Sequence, residues 1–172
     1  MSIDTTLIVV SDRAATGERA DGTAEQLRPV LTEARFDLVD VVVVPDERAA
    51  IGQAIRTAAE RTPLVLTTGG TGVSDRDVTP EATRDVLDFE IPGLGEAMRA
   101  GSLALTIHAV GSRATAGALG RAIVVNLPGR PKGAIECFGF VAKALPHLIS
   151  VRRGPVADAS HGAQDRCETG NE

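Results

Sequence analysis

The chain has 172 residues, a formal charge of −5 at pH 7, 43% hydrophobic and 24% charged residues, which is the composition of a globular domain and excludes disorder throughout. Aromatics are only 2%, four Phe with no Trp or Tyr, so the core must come from Val, Leu, Ile and Ala, and base-stacking nucleic-acid platforms are disfavoured. Residues 155–172 carry a local charge of −3 and leave −2 for the body; neither part has the basic excess of a phosphate-backbone binder, and no stretch of eighteen apolar residues could span a bilayer, so no nucleic-acid or membrane partner is expected.

The opening Met1-Ser2-Ile3-Asp4 lacks the features of a secretory signal, and a soluble, cytoplasmic protein is expected. Cys137 and Cys167 form no C-x-x-C pair, and His108, His147 and His161 lack ligand spacing. Cys137 reads as a small core residue, with neither a disulfide nor a zinc site expected.

Apolar runs alternate with helical patterns, the signature of crossover units. The expected fold is α/β: a three-layer sandwich with a mostly parallel central sheet and helices on both faces. Leu7-Ile8-Val9-Val10 is a buried strand ending at Ser11-Asp12-Arg13, and Ala14 to Gly22 reads as a loop. Ala24, Leu27, Val30, Leu31 and Ala34 then recur at helical spacing, with Pro29 expected to kink the helix. Leu38 to Val44 is the second strand, closed by Pro45-Asp46-Glu47 before a helix with Ile51, Ala54, Ile55, Ala58 and Ala59 on one stripe.

Pro63 to Thr67 is the third strand, running into Thr68-Gly69-Gly70-Thr71-Gly72 and then Val73 to Val78. Thr79 reads as an N-cap and Pro80 as the first residue of a helix reaching about Leu87. A short helix, Glu96 to Ala100, precedes a strand around Thr106 to Val110, a polar turn from Gly111 to Gly117, and a strand at Ala122 to Leu127. Leu127-Pro128-Gly129-Arg130-Pro131 breaks the chain, and Lys132 to about Val151 is helical with a break before Pro146. One folded domain, residues 1–154, is expected, followed by a disordered acidic tail, 155–172. Loops after strands gather at the carboxyl edge of a parallel sheet, so a composite site is expected there.

Thr67 to Glu81 is the most informative stretch. Gly69, Gly70 and Gly72, with Thr71 between, let the backbone approach a ligand and aim N–H groups at an anion, a phosphate cradle; a tight strand-to-helix turn is the plainer reading. A Cβ branch at Gly70 or Gly72 would fill the space of the phosphate. The P-loop pattern fails for want of Gly-Lys-Ser/Thr, and the dinucleotide fingerprint fails at Asp75.

Asp46 and Asp77 both follow strands, and two carboxylates near a phosphate cradle call for a hard cation such as Mg2+; separately they read as a helix cap and a solvated side chain. Glu96 and Arg99, three apart, read as a surface pair. Ser112-Arg113 suits a phosphate or a heteroaromatic amide, or is only a polar turn. Pro128-Gly129 would suit a flat ring lying against bare backbone, and alone is only a turn.

Val44-Pro45-Asp46-Glu47, Thr68-Gly69-Gly70-Thr71-Gly72 with Arg76-Asp77-Val78-Thr79-Pro80-Glu81, Pro92-Gly93-Leu94-Gly95-Glu96 and Asn126-Leu127-Pro128-Gly129 together resemble the molybdopterin adenylyltransferases of molybdenum-cofactor biosynthesis. The resemblance covers about residues 5–150 and extends to the amino-terminal domain of gephyrin and the plant two-domain cofactor protein. It implies Mg2+-dependent transfer of AMP from ATP to the terminal phosphate of molybdopterin with release of pyrophosphate. It also implies a homotrimer and a downstream molybdenum insertase.

By the same resemblance, Asp46 and Asp77 are catalytic or metal-positioning. Gly69, Gly70, Thr71 and Gly72 form the pterin-phosphate loop, Glu96, Ser112 and Arg113 the pterin pocket, and Ser11, Pro128 and Gly129 the nucleotide side. Asp75 departs from the family's frequent proline, and Arg35 from a glycine that often ends the first helix. A non-catalytic pterin-binding or assembly protein is the competing reading. The molybdate-inserting step and a nicotinamide-nucleotide-processing domain both use longer chains.

Overall fold

The computed structural model describes residues 2–18 and 22–154; the expected acidic tail lies outside the described residues. Among these, six strands form one sheet in the order β2-β1-β3-β6-β5-β4. Strands β1 (Ile3–Val10), β2 (Phe36–Val44), β3 (Leu64–Thr68) and β6 (Ala122–Leu127) are mutually parallel. β5 (Ala116–Leu119) runs antiparallel to both β6 and β4 (Phe89–Glu90). β3 and β6 are buried along their whole length and β1 from Thr5 onward, as continuous Val/Ile/Leu runs must be when helices cover both faces.

Alternation along each strand divides the core in two. Leu7, Val9, Leu64, Leu66, Ile123 and Val125 pack under α2 (Thr23–Glu33), α5 (Pro92–Leu103), α6 (Pro131–Val141) and α7 (Leu145–Arg153). Ile8, Val10, Val65 and Val124 pack under α3 (Arg48–Arg61) and α4 (Thr79–Arg84) on the other face. This is the expected three-layer sandwich. With so few aromatics, one ring pair anchors the first layer: Phe36 and Phe138 meet edge-on, 5.4 Å between centroids. A register shift between Thr5 and Thr6 reverses which side chains of β2 face each layer, leaving Val39, Val41 and Val43 exposed on this edge strand.

Three expectations change, and one strand is new. Residues 106–110 are not a strand: Ile107–Gly111 is a 3-10 helix whose Thr106 hydroxyl accepts from the His108 N–H. Its Ile107 and Val110 are exposed, so an apolar run did not mean a buried one. The strand lies further on, at Ala116–Leu119, where small residues are needed: a Cβ at Gly117 would come 2.3 Å from the Phe89 carbonyl oxygen on β4. Thr79 is the first helical residue and Val78 the cap; the Thr79 hydroxyl instead donates to the Gly69 carbonyl, 2.9 Å. A short helix, α1 (Asp12–Ala15), opens the segment read as a loop, with the Ser11 hydroxyl accepting from the Ala14 N–H. The two-residue β4 was not anticipated, being too short to show a period.

Candidate active site at the carboxyl edge of the sheet

From β1 the chain crosses to β2 on one side and then to β3 on the other, so the switch point of the topology lies between the ends of β1 and β3, where open α/β sheets bind ligands. The glycine turn leaves β3 at that place. Gly69 and Gly70 adopt φ of +105° and +63°, and a Cβ on Gly69 would lie 2.2 Å from the Val10 carbonyl oxygen. Only glycine fits against β1 so closely. The turn is fixed from below by the Thr79 hydroxyl and by Thr79 N–H donating to the Gly70 carbonyl, 3.1 Å. The N–H groups of Gly70, Thr71 and Gly72 meet no protein acceptor among the described residues, which leaves three donors for an anion.

Both aspartates adjoin this turn. A Cβ on Gly70 would lie 3.3 Å from Asp46 Oδ1, and one on Gly72 would lie 2.9 Å from Asp77 Oδ2. Asp46 is held by its other oxygen, Oδ2, which accepts from the Asp12 N–H at 2.9 Å. Asp77 Oδ2 accepts from the Ser74 N–H at 2.8 Å. Burial is the main cause that raises the proton affinity of Asp46 above the usual carboxylate range; the Asp12 N–H opposes it, and the charges of Asp12 and Asp77 add to it. Asp12 is shifted the other way, chiefly by its hydrogen bond from Arg76.

A cleft of about 770 Å³ opens beside the turn, with Thr71, Gly72, Ser112, Pro128 and Gly129 in its wall, Met98 and Cys137 also lining it, and Arg130, Lys132 and His108 along it. It is of the size that ligand sites have. The Pro128-Gly129 segment is strapped to β3 by the Thr68 hydroxyl, which donates to the Pro128 carbonyl at 2.7 Å. Gly129 lies so close that a Cβ would sit 3.1 Å from Gly69 Cα. Helix α6 starts at Pro131 and brings Lys132 and Gly133 to the same wall, adding the positive end of an eleven-residue helix. A smaller hollow of about 490 Å³ adjoins it, lined by Glu81, Glu90, Arg84, Arg99, Arg113 and Thr115 and sharing Ser112 and Arg99 with the cleft.

Three sequence expectations are placed differently. Glu96 is exposed and lines neither hollow, and Arg99 donates to the Ala114 carbonyl at 2.8 Å, with no Glu96–Arg99 ion pair among the described residues. The Arg113 guanidinium donates to the carbonyls of Gly72 and Asp77 and pairs with Glu81, so it fastens the glycine loop while also lining the smaller hollow. Ser112 and Arg113 reach the carboxyl edge by preceding the antiparallel β5, not by following a strand. Ser11 lies at the end of β1, outside both hollows, as do the two aspartates.

The hydrogen-bonding roles of Asp12, Thr79 and Asn126 were not anticipated. Fully buried Asn126 donates to the hydroxyls of Thr67 and Thr83, both at 2.9 Å, and accepts from the Thr115 N–H, joining β3, α4 and the start of β5 beneath the site. Its signals were its place as a lone polar residue in the run Ile123-Val124-Val125-Asn126-Leu127 and at the head of the Asn126-Leu127-Pro128-Gly129 motif.

Residues 6–147 match the family model described as "Probable molybdopterin binding domain". The chain belongs to this family. Within it, the chain is 37% identical to the molybdopterin adenylyltransferase of Escherichia coli K12 over 171 residues, covering 90% of this chain and 87% of the relative. It is 36% identical to the protein of the same name from Helicobacter pylori J99 over 152 residues, 86% of each chain. Among solved structures, the molybdopterin biosynthesis enzyme MoaB of Thermus thermophilus superposes with a TM-score of 0.82 at 44% identity, covering 87% of this chain and 96% of that one. The six-stranded, mostly parallel sheet is therefore the fold of this molybdopterin-binding domain family.

Proposed function

We propose that the protein transfers AMP from ATP to the terminal phosphate of molybdopterin, giving adenylylated molybdopterin and pyrophosphate in molybdenum-cofactor biosynthesis. The observation that carries this reading is the meeting of the Asp46 and Asp77 carboxylates with a glycine turn that offers unpaired N–H groups. The names and high coverage of the two adenylyltransferase relatives support it.

The attacking group is a phosphate monoester, largely dianionic at neutral pH, so no general base is required. Its oxygen forms a bond to the α-phosphorus of ATP, the bond from that phosphorus to the bridging oxygen breaks, and pyrophosphate leaves with the electron pair. What the protein must supply is alignment and neutralisation of charge. The turn N–H groups hold the attacking phosphate. Arg130, Lys132 and the first turn of α6 attract the remaining phosphates, and Pro128-Gly129, with Ser11 at the neighbouring strand end, lies on the nucleotide side.

The donor set fits Mg2+. Asp46 Oδ1 and Asp77 Oδ1 are hard oxygens with no protein hydrogen bond among the described residues, and no group of three His, Cys, Asp or Glu able to hold a metal occurs among them. Two carboxylates completed by water and substrate phosphates are what Mg2+ takes, as opposed to an all-protein cage. Asp46 and Asp77 would hold the ion, which would supply neutralisation of phosphate charge.

We further propose a cytoplasmic homotrimer that passes its product to a molybdenum insertase. No single helix among the described residues is long and apolar enough to cross a membrane. Pyrophosphate release from ATP that requires both molybdopterin and Mg2+ is the expected result in a steady-state assay. Tight molybdopterin binding without pyrophosphate release would instead establish a pterin-binding or assembly role.

A further inference from the structure

Adjacent parallel strands β1 and β2 end in two aspartates that bond to each other's backbone. The Asp12 N–H donates to Asp46 Oδ2 and the Asp46 N–H donates to Asp12 Oδ1, each at 2.9 Å. The ring extends the strand ladder, whose preceding rung is the Ser11 N–H on the Val44 carbonyl, also 2.9 Å. Two carboxylates this close repel, yet Asp12 gives its remaining oxygen to Arg76. Arg76 belongs to the same loop as Asp77, so Asp12 stands between the two loops that carry the aspartates.

We propose that Asp12 is the positioning residue for Asp46: the reciprocal bonds pin Asp46 by its backbone and Oδ2, so that Oδ1 faces the glycine turn. A half-buried aspartate without such a clamp samples several rotamers. A catalytic oxygen displaced by about 1 Å can cost on the order of a hundredfold in rate while leaving substrate binding largely intact. Asp12 is not among the residues lining the cleft, and its carboxylate is bonded to the Asp46 N–H and to Arg76, so its effect passes through Asp46 and the loop of Asp77. Arg76 offsets the charge of the pair and ties the Asp77 loop to the same clamp.

The inference rests on the adenylyl-transfer reading only in giving Asp46 its task, and one of its two tests is independent of activity. Amide hydrogen exchange by NMR should find the residue 12 and residue 46 N–H groups protected in the unaltered protein. Both should exchange freely in Asp12→Ala, the first because Asp46 has swung away. Continued protection of the residue 12 amide in Asp12→Ala would overturn the proposal, whatever the activity.

In the transfer assay, Asp12→Ala should lower kcat at least about tenfold with KM for ATP and molybdopterin within about threefold. Asp12→Asn, which keeps the oxygen that accepts from Asp46, should recover most of that loss. Unchanged kcat in Asp12→Ala, or an Asp12→Asn variant as slow as Asp12→Ala, would overturn the proposal. An unaltered protein that transfers no AMP would refute the functional reading, while the exchange experiment would still decide the clamp.

Discussion

Asp46 is held in a place that suits chemistry better than stability. Its folded-state pKa is raised, mainly by burial, so its favourable contribution is complete only below the unfolded pKa and is lost as pH rises through the folded one. At neutral pH the ionised group therefore costs stability. Asp46→Asn should melt at a higher temperature than the unaltered protein at pH 7, and the difference should vanish as pH falls below the carboxylate range. The same variant should lose at least about a hundredfold in turnover, the scale of one electrostatic stabiliser. A lower melting temperature at pH 7, or near-normal turnover in saturating Mg2+, would contradict this account.

The glycines separate by the same reasoning. Gly69→Ala forces a Cβ to 2.2 Å from a backbone oxygen at a φ of +105°, so calorimetry should show a lower melting temperature together with lost activity. Gly72→Ala meets only the movable Asp77 carboxylate at 2.9 Å. It should keep its melting temperature within about 2 °C, a small fraction of total stability, while turnover falls about tenfold. The expectation that a branch at Gly70 would fill ligand space is replaced by a contact within the protein, 2.4 Å from the Thr79 hydroxyl.

Among the elements, the loop from Gly72 to Asp77 is fastened at both ends by one side chain from outside it. Arg113 reaches it from the turn before β5 and engages two of its carbonyls as well as Glu81. Arg113→Lys keeps the charge and loses the planar fork. It should speed amide exchange over residues 72–78 and lower turnover about tenfold, with normal exchange in β3; unchanged loop exchange would refute the role.

The parallel strands β1, β3 and β6 were legible because both faces are covered, which turns each into a largely apolar run such as Leu7-Ile8-Val9-Val10. β4 and β5 were not: one is two residues long, and the other uses Ala116, Gly117 and Ala118, which have little β-propensity, with Gly117 lying too close to Phe89 for a side chain. At the site, Asp46, Asp77 and the glycine turn were readable from their spacing after strands. The roles of Asp12 and Asn126 were hidden because their partners lie across the fold, where local pattern does not reveal them, and Arg113 was legible as a residue but not as a fastening.

As a whole molecule, the chain leaves Val39, Val41 and Val43 exposed on an edge strand, with Leu105, Ile107 and Val110 exposed elsewhere. Unpaired apolar edges are a liability in a monomer, and light scattering at micromolar concentration should report about three times the chain mass, a closed cyclic assembly. A monomer would refute the trimer. The carboxyl edge of one sheet supplies both aspartates, the turn and the cleft, so mixing an Asp46 variant with an Asp77 variant should restore no activity. The most direct test of the central claim follows the α-phosphorus. With ATP labelled at that position, Mg2+ and molybdopterin, the label should appear in a molybdopterin product one AMP heavier, and Asp46→Asn should abolish its transfer. Label remaining in ATP while molybdopterin is bound, or transfer of the γ-phosphate instead, would contradict the account.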